Sequence, residues 1–195
     1  MTENLPLAKI QASVLDFLCN RENAAIFGAQ AVNVYVATPR ATQDVDILST
    51  AGESFSQELC EHLHLRFHIA TRIRSVAGGL GFRIYQVRQP TNRHLVDVRH
   101  VEQLPPCERI QQVLVVSPAD LIAMKVISMS ARPNTPKGLT DEADIFRLLL
   151  TFPEHKTRTG MVIKSLETQQ ASDAAHQIWQ QLVDREITPD RDDDY

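Results

Sequence analysis

Apolar positions along this chain recur first with alternating helical and strand periods and then with the helical period alone. Leu7 to Cys19 places Ile10, Val14, Phe17 and Leu18 at helical spacing, which predicts an amphipathic helix. Ala24–Phe27 is a short apolar run with the length of a strand, and Gly28 opens a helix to about Val36, which Pro39 ends. Asp44–Leu48 predicts a buried strand, and Glu53–Leu63 a helix with Phe55, Leu59 and Cys60 on one side. Arg66–Arg74 alternates loosely, Gly78-Gly79-Leu80-Gly81 breaks the chain, and Phe82–Arg88 and His94–Val98 pair as strands around Pro90-Thr91-Asn92. Val113–Val116 is one further strand. From Ser117 onward only helices are expected. Ser117-Pro118-Ala119-Asp120 is a helix start, with serine at the N-cap, proline in the first turn and an acid three residues after the cap. That helix runs to about Ala131. Asn134–Gly138 reads as a loop, Asp141–Leu150 as a second helix, and Ala171–Arg185 as a third, striped by Ala175, Ile178, Trp179 and Leu182. The expected fold class is α/β (α+β): a mixed sheet with flanking helices over 1–116, a helical region over 117–187 packed on it, and an acidic tail over 188–195.

Composition narrows the class without naming a function. Hydrophobic residues are 43% and charged residues 23%, ordinary for a globular protein. No apolar run approaches the ~20 residues needed to span a bilayer, so no membrane partner is expected. MTENLPLAKI has neither a basic start nor a continuous apolar stretch, so no signal peptide is expected. Cys19, Cys60 and Cys107 are scattered and lack zinc-like spacing, which favours a reduced, cytoplasmic setting. Charge is more telling than its total. Residues 66–100 carry seven arginines against one acid, Asp97, whereas residues 1–65 carry three Lys/Arg against eight Asp/Glu. An arginine-only cluster suits planar, bidentate recognition of phosphate; a sheet whose exposed face happens to be basic is the plainer reading.

The chemistry-bearing feature is Arg40-Ala-Thr42-Gln-Asp44-Val-Asp46. Alternate residues of a strand share a face, so Asp44 and Asp46 are expected to project together while Val45 and Ile47 face the core. Two adjacent carboxylates each raise the other's pKa unless a cation lies between them. Oxygen-only ligands favour Mg²⁺, with Mn²⁺ as a substitute. Gly28 lets helix N-terminal amides approach an anionic group without a side chain in the way. Lys125 and Arg132 lie about two turns apart on one helix face, where they either hold phosphates or extend to water over an apolar helix. Asp141 and Asp144 lie one turn apart on the next helix. The seven histidines (His62, His64, His68, His94, His100, His155 and His176) show no metal-ligand spacing beyond His62-x-His64 and read as structural or surface residues.

In their order, Gly28, the Asp44/Asp46 strand and Asp97 in His94-Leu-Val-Asp-Val98 resemble the nucleotidyltransferase superfamily, the polymerase-beta-like fold. Arg40-x-Thr42, Ser117-Pro-x-Asp-Leu-Ile-Ala-Met-Lys125, Arg132 and Asp141-x-x-Asp144-Ile resemble its minimal bacterial branch, which includes AbiEii-type abortive-infection and related toxin nucleotidyltransferases. The resemblance covers roughly residues 24–150, and Gly28-Ala29 stands where that signature usually has Gly-Gly or Gly-Ser. It implies a nucleotidyltransferase-like sheet and a pair of metal ions held by Asp44, Asp46 and Asp97, with Asp97 helping to deprotonate the acceptor. It further implies Lys125 as a catalytic cation that also binds nucleotide. Gly28, Ala29, Arg40, Thr42, Arg132, Lys137 and Asp141 are the other implied nucleotide contacts, with Asp141 either facing the nucleotide or pairing with Lys125.

The expected activity is Mg²⁺-dependent transfer of a nucleotidyl group from an NTP to a hydroxyl. RNA such as tRNA is the acceptor suggested by the arginine-rich segment 66–99, with a protein hydroxyl or a small molecule left open. A toxin role with a cognate antitoxin follows only by analogy. The alternative is a catalytically inactive protein of the same fold that binds nucleotide, nucleic acid or a protein partner.

Overall fold

The structure, a computed structural model, describes residues 5–189. The expected acidic tail therefore lies, from residue 190 on, outside the described residues, as do residues 1–4. The described chain divides into two compact units: the residues up to Ala31 with Arg40–Val116, and Val32–Pro39 with the residues from Ser117 on.

The first unit is built on a seven-stranded sheet. Its strands are β1 (Ala24–Phe27), β2 (Val45–Ser49), β3 (Thr71–Val76), β4 (Gly81–Gln86), β5 (Arg93–His100), β6 (Cys107–Ile110) and β7 (Val113–Val116), in the order β3-β4-β5-β2-β1-β7-β6. The sheet is mixed: β2 runs parallel to β5, and β1 parallel to β7, while the other neighbours are antiparallel. Helices α1 (Leu7–Leu18) and α3 (Gly52–Phe67) pack together, and α3 lies against β2, β3, β4 and β5. Phe55, Leu59 and Leu63 of α3 are fully buried, as are Val45, Ile84 and Val96 of the sheet. Each such aliphatic or aromatic side chain contributes about 1.5–3 kcal/mol of burial. One face of β3-β4-β5-β2 is thus sealed by α3, and Asp46, Asp97 and Arg83 lie in register on the other.

Two irregularities escape the hydrophobic pattern. The strand β6, not expected from sequence, pairs with β7 through a turn at Gln111 and Gln112, whose φ values are 46° and 69°. Tight hairpins need positive φ at both central residues and usually signal it with Asn-Gly, so Gln-Gln leaves the turn unannounced. In β5, Val96 pairs with Ile84 and His94 with Tyr85, leaving Leu95 as an extra, unpaired residue. This bulge reverses which side chains of β5 share a face.

The second unit is helical: α4 (Pro118–Ser130), α5 (Pro136–Thr151), α6 (Met161–Thr168) and α7 (Asp173–Asp184). Helix α2 (Gly28–Tyr35) begins in the first unit and ends in the second. The α4 start matches the sequence expectation: Ser117 Oγ accepts the Asp120 N–H, with proline in the first turn. α4 packs on α5, α6 and α7, around Leu121, Ile122, Val126, Leu148 and Trp179. The loop expected over Asn134–Gly138 is largely helix. Thr135 Oγ1 accepts the Gly138 N–H and Pro136 sits in the first turn, so α5 starts at Pro136 rather than near Asp141 and places Lys137 in its first turn. Helix α6 was not expected. Cys19, Cys60 and Cys107 form no disulfide among the described residues, and burial pushes the Cys60 thiol up. No helix among the described residues is long and apolar enough to cross a membrane.

Candidate active site

The site in the first unit follows from strand register. Asp46 on β2 lies directly beside Asp97 on β5, and the same row continues through Arg83 on β4 to Arg74 on β3, and on the other side to Phe27 on β1. Residues paired in register share a face, so this row runs across five strands on the face away from α3. Asp44 sits just before β2, where the Thr42 hydroxyl donates to its carbonyl at 3.1 Å and Gln11 Nε2 donates to the Thr42 carbonyl at 3.1 Å. These two bonds fix the segment that delivers Asp44.

Gly28 is locked to Asp46. Its φ is +65°, and a Cβ there would fall 2.0 Å from Asp46 Oδ2. The carboxylate therefore occupies the space that any side chain would need, and the start of α2 depends on glycine for that reason as well as for its backbone. Ala29, the next residue, is nearly buried in the first turn. Arg40 is half-buried, with its guanidinium 3.4 Å from the Ala41 carbonyl.

His94 belongs to this cluster, although its sequence spacing gave no sign of it. Nδ1 lies 3.3 Å from Asp44 Oδ2, and Nε2 lies 3.3 Å from Asp97 Oδ1 in an ion-pair geometry that does not align as a hydrogen bond. Asp44, His94 and Asp97 each offer a ligand atom within 4.8 Å of the others. The bulge at Leu95 is the cause: regular alternation would put His94 and Asp97, three apart, on opposite faces. The interaction with Asp44, then that with Asp97, raises the imidazole from its usual 6.5 to about 10, against an opposing desolvation. At neutral pH His94 is thus an imidazolium between two carboxylates. Arg83 Nε donates to Asp97 Oδ1 at 3.1 Å, and Asp97 in turn pushes the Arg83 pKa up.

The second unit brings together Lys125, Asp141, Asp144 and Arg132. Lys125 Nζ lies 3.1 Å from Asp141 and 2.7 Å from Asp144, and all three side chains are under 10% exposed. Arg147 holds the other oxygen of Asp144 at 3.1 Å. Ser128 donates to Asp141 at 2.6 Å, and Arg132 lies 3.6 Å from Asp141 while also contacting the Ser128 hydroxyl. Of the two pairings open to Asp141, the structure shows the one with Lys125, and Asp144 pairs with Arg147. The Lys125 ammonium is fully engaged by carboxylates; Arg132, 39% exposed, and Lys137, exposed, are the reachable cations here.

No family model matches the chain, and no curated protein does. Solved structures are similar to it at low identity. The Megavirus polyadenylate synthase aligns with a TM-score of 0.57 at 14% identity over 78% of this chain and 33% of its own. JHP933 from Helicobacter pylori aligns at 0.58 and 10% identity over 90% of each chain. An antigenic nucleotidyltransferase-like protein from Paracoccidioides brasiliensis aligns at 0.52 and 16% identity over 93% of this chain and 95% of its own. The fold is nucleotidyltransferase-like. This chain spans about a third of the length of the Megavirus protein.

The donor set suits a hard divalent cation. Three carboxylates share one sheet face beside a helix N-terminus, and the imidazolium already supplies positive charge between two of them. Exchange of that proton for an ion would leave the oxygens of Asp44 and Asp97 in place.

Proposed function

We propose that this protein is a divalent-metal-dependent nucleotidyltransferase that moves a nucleotidyl group from an NTP to a hydroxyl acceptor and releases pyrophosphate. The observation that carries the reading is the register of Asp46 beside Asp97, with Asp44 delivered to the same face. Asp44, Asp46 and Asp97 would hold Mg²⁺, or Mn²⁺, which supplies Lewis-acid activation of the attacking hydroxyl and charge neutralisation at the phosphates. Gly28 keeps the first amides of α2 accessible beside Asp46, a fitting approach for an anionic phosphate. Asp97 is the carboxylate best placed to take the acceptor proton, because it lies on the row that continues toward the open strands β4 and β3. Arg40 and Thr42 order the segment before Asp44. In the second unit Lys125 holds Asp141 and Asp144 in position, beside the part-exposed Arg132 and the exposed Lys137. The Arg40-x-Thr42 and Asp141-x-x-Asp144 motifs support a place beside the AbiEii-type branch, and with it a toxin or abortive-infection role with a cognate antitoxin.

The test is incubation of the purified protein with Mg²⁺, each α-labelled NTP in turn, and tRNA or cell extract, beside Asp46→Asn and Asp97→Asn. Label moved to an acceptor by the wild type alone supports the reading. NTP binding that is indifferent to a chelator and to both variants, with no transfer, leaves a binding-only protein of this fold.

A further inference from the structure

The open sheet face extends beyond the carboxylates. Arg74 and Arg83 continue the Asp46–Asp97 row, and Arg72 and Tyr85 continue the row of His94. Arg72, Arg74 and Arg83 are all exposed, and Arg72 and Arg74 make no ion pair among the described residues. Strand spacing of about 4.8 Å places β3 roughly 10 Å from β5. Tyr85 lies between Arg72 and His94, its ring 5.0 Å from the imidazole.

We propose that this face, Arg72, Arg74, Arg83 and Tyr85, is the acceptor track, and that the acceptor is the end of a single-stranded nucleic acid whose phosphates lie on the arginines. The inference rests on the nucleotidyl-transfer reading and names its acceptor class. Guanidinium groups beside an aromatic ring, Arg72 across the strands from Tyr85 and Arg83 two residues before it, offer both a phosphate contact and a stacking surface, as a single strand requires. The arginines sit on the side where Asp97, not the Gly28 helix start, faces outward along the row, so a chain lying on them brings its terminal hydroxyl to Asp97. A polycationic small molecule such as an aminoglycoside meets like charge on the same path.

The probe is a fluorescein-labelled 12-nucleotide RNA, with anisotropy read between 50 and 200 mM salt on the full chain. Three phosphate contacts give a log–log salt slope of about −2.1, an affinity loss of about 18-fold over that range. Arg72→Ala/Arg74→Ala should leave a slope of about −0.7 and a loss of about 2.6-fold. Both side chains are exposed, so this variant should melt with the wild type. Arg72→Lys/Arg74→Lys should keep most of the slope. Mg²⁺-dependent NTP binding, measured in parallel, should be the same in all three proteins. RNA binding with an unchanged slope in the double alanine variant overturns the proposal while leaving nucleotidyl transfer standing. So does tighter binding of a poly-glutamate peptide than of RNA. The expected slopes without any NTP binding would uphold the surface and refute the transfer reading instead.

Discussion

Gly28→Ala separates two effects that the structure superimposes, because Gly78 supplies the control. Both glycines have φ +65°, but a Cβ at Gly78 meets nothing within 4 Å, whereas one at Gly28 falls 2.0 Å from Asp46 Oδ2. Forcing an alanine into this backbone region costs about 1–2 kcal/mol, of which about 0.4–1 is returned through the less flexible unfolded chain. Gly78→Ala should therefore lose about 1 kcal/mol, a fall in Tm of about 2–4 °C for a chain of this size. Gly28→Ala carries the same backbone cost and must also move a carboxylate, since real Cβ contacts stay beyond 3.0 Å. Overpacking of that kind adds about 1–3 kcal/mol. The Asp46 carboxylate would withdraw by about 1 Å, a displacement that costs on the order of 100-fold in rate where geometry matters. Thermal melts of the two variants, with Mg²⁺-dependent NTP binding and transfer assays alongside, read both terms. If Gly28→Ala melts with Gly78→Ala and keeps metal-dependent NTP binding, the close approach to Asp46 has no functional meaning and the argument fails.

Two further predictions follow from charge. Lys125→Met removes the ammonium between Asp141 and Asp144; because Arg147 still faces Asp144, the expected loss is about 3 kcal/mol, the low end for a broken buried pair. Urea denaturation measures it, and a loss under about 1 kcal/mol would show that the network does not stabilise the helical unit. His94 has a folded-state pKa of about 10, above its unfolded value of about 6.5. Its stabilisation of the metal-free protein is thus fully present below pH ~6.5 and is lost as pH rises toward about 10. In chelator, the stability gap between wild type and His94→Gln should shrink across that window; a gap that stays constant refutes the assignment.

The elements that follow simple periodicity were legible in the sequence. Strands β1, β2 and β7, helices α1, α2 and α4, and the carboxylates before and in β2 lie within a few residues of where the hydrophobic pattern and caps put them. What the pattern could not show depends on backbone count or on partners far along the chain. The Gln111-Gln112 turn hides β6 because its residues are not those that usually take positive φ. Thr135 and Pro136 start α5 early through a cap that proline and glycine in the same stretch disguise as a loop. His94 looked like one histidine among seven because only the pairing of β5 with β4 brings it beside Asp97. The engagement of Lys125 by two carboxylates required the α4–α5 packing, although the one-turn spacing of Asp141 and Asp144 was visible from the start.

The unpaired Leu95 has a consequence for how this site can change. The place of the histidine among the carboxylates is set by one residue of β5 being left out of the pairing rather than by what that residue is. Substitution at Leu95 alters packing in the core and leaves the imidazole where it is. Deletion of that one residue would restore regular pairing and keep His94 opposite Tyr85, two positions from Asp97 and still on its face. Loss of the bulge without loss of a residue, by a one-residue slip of the strand before Val96, would instead turn the imidazole to the α3 side and leave the carboxylates without it.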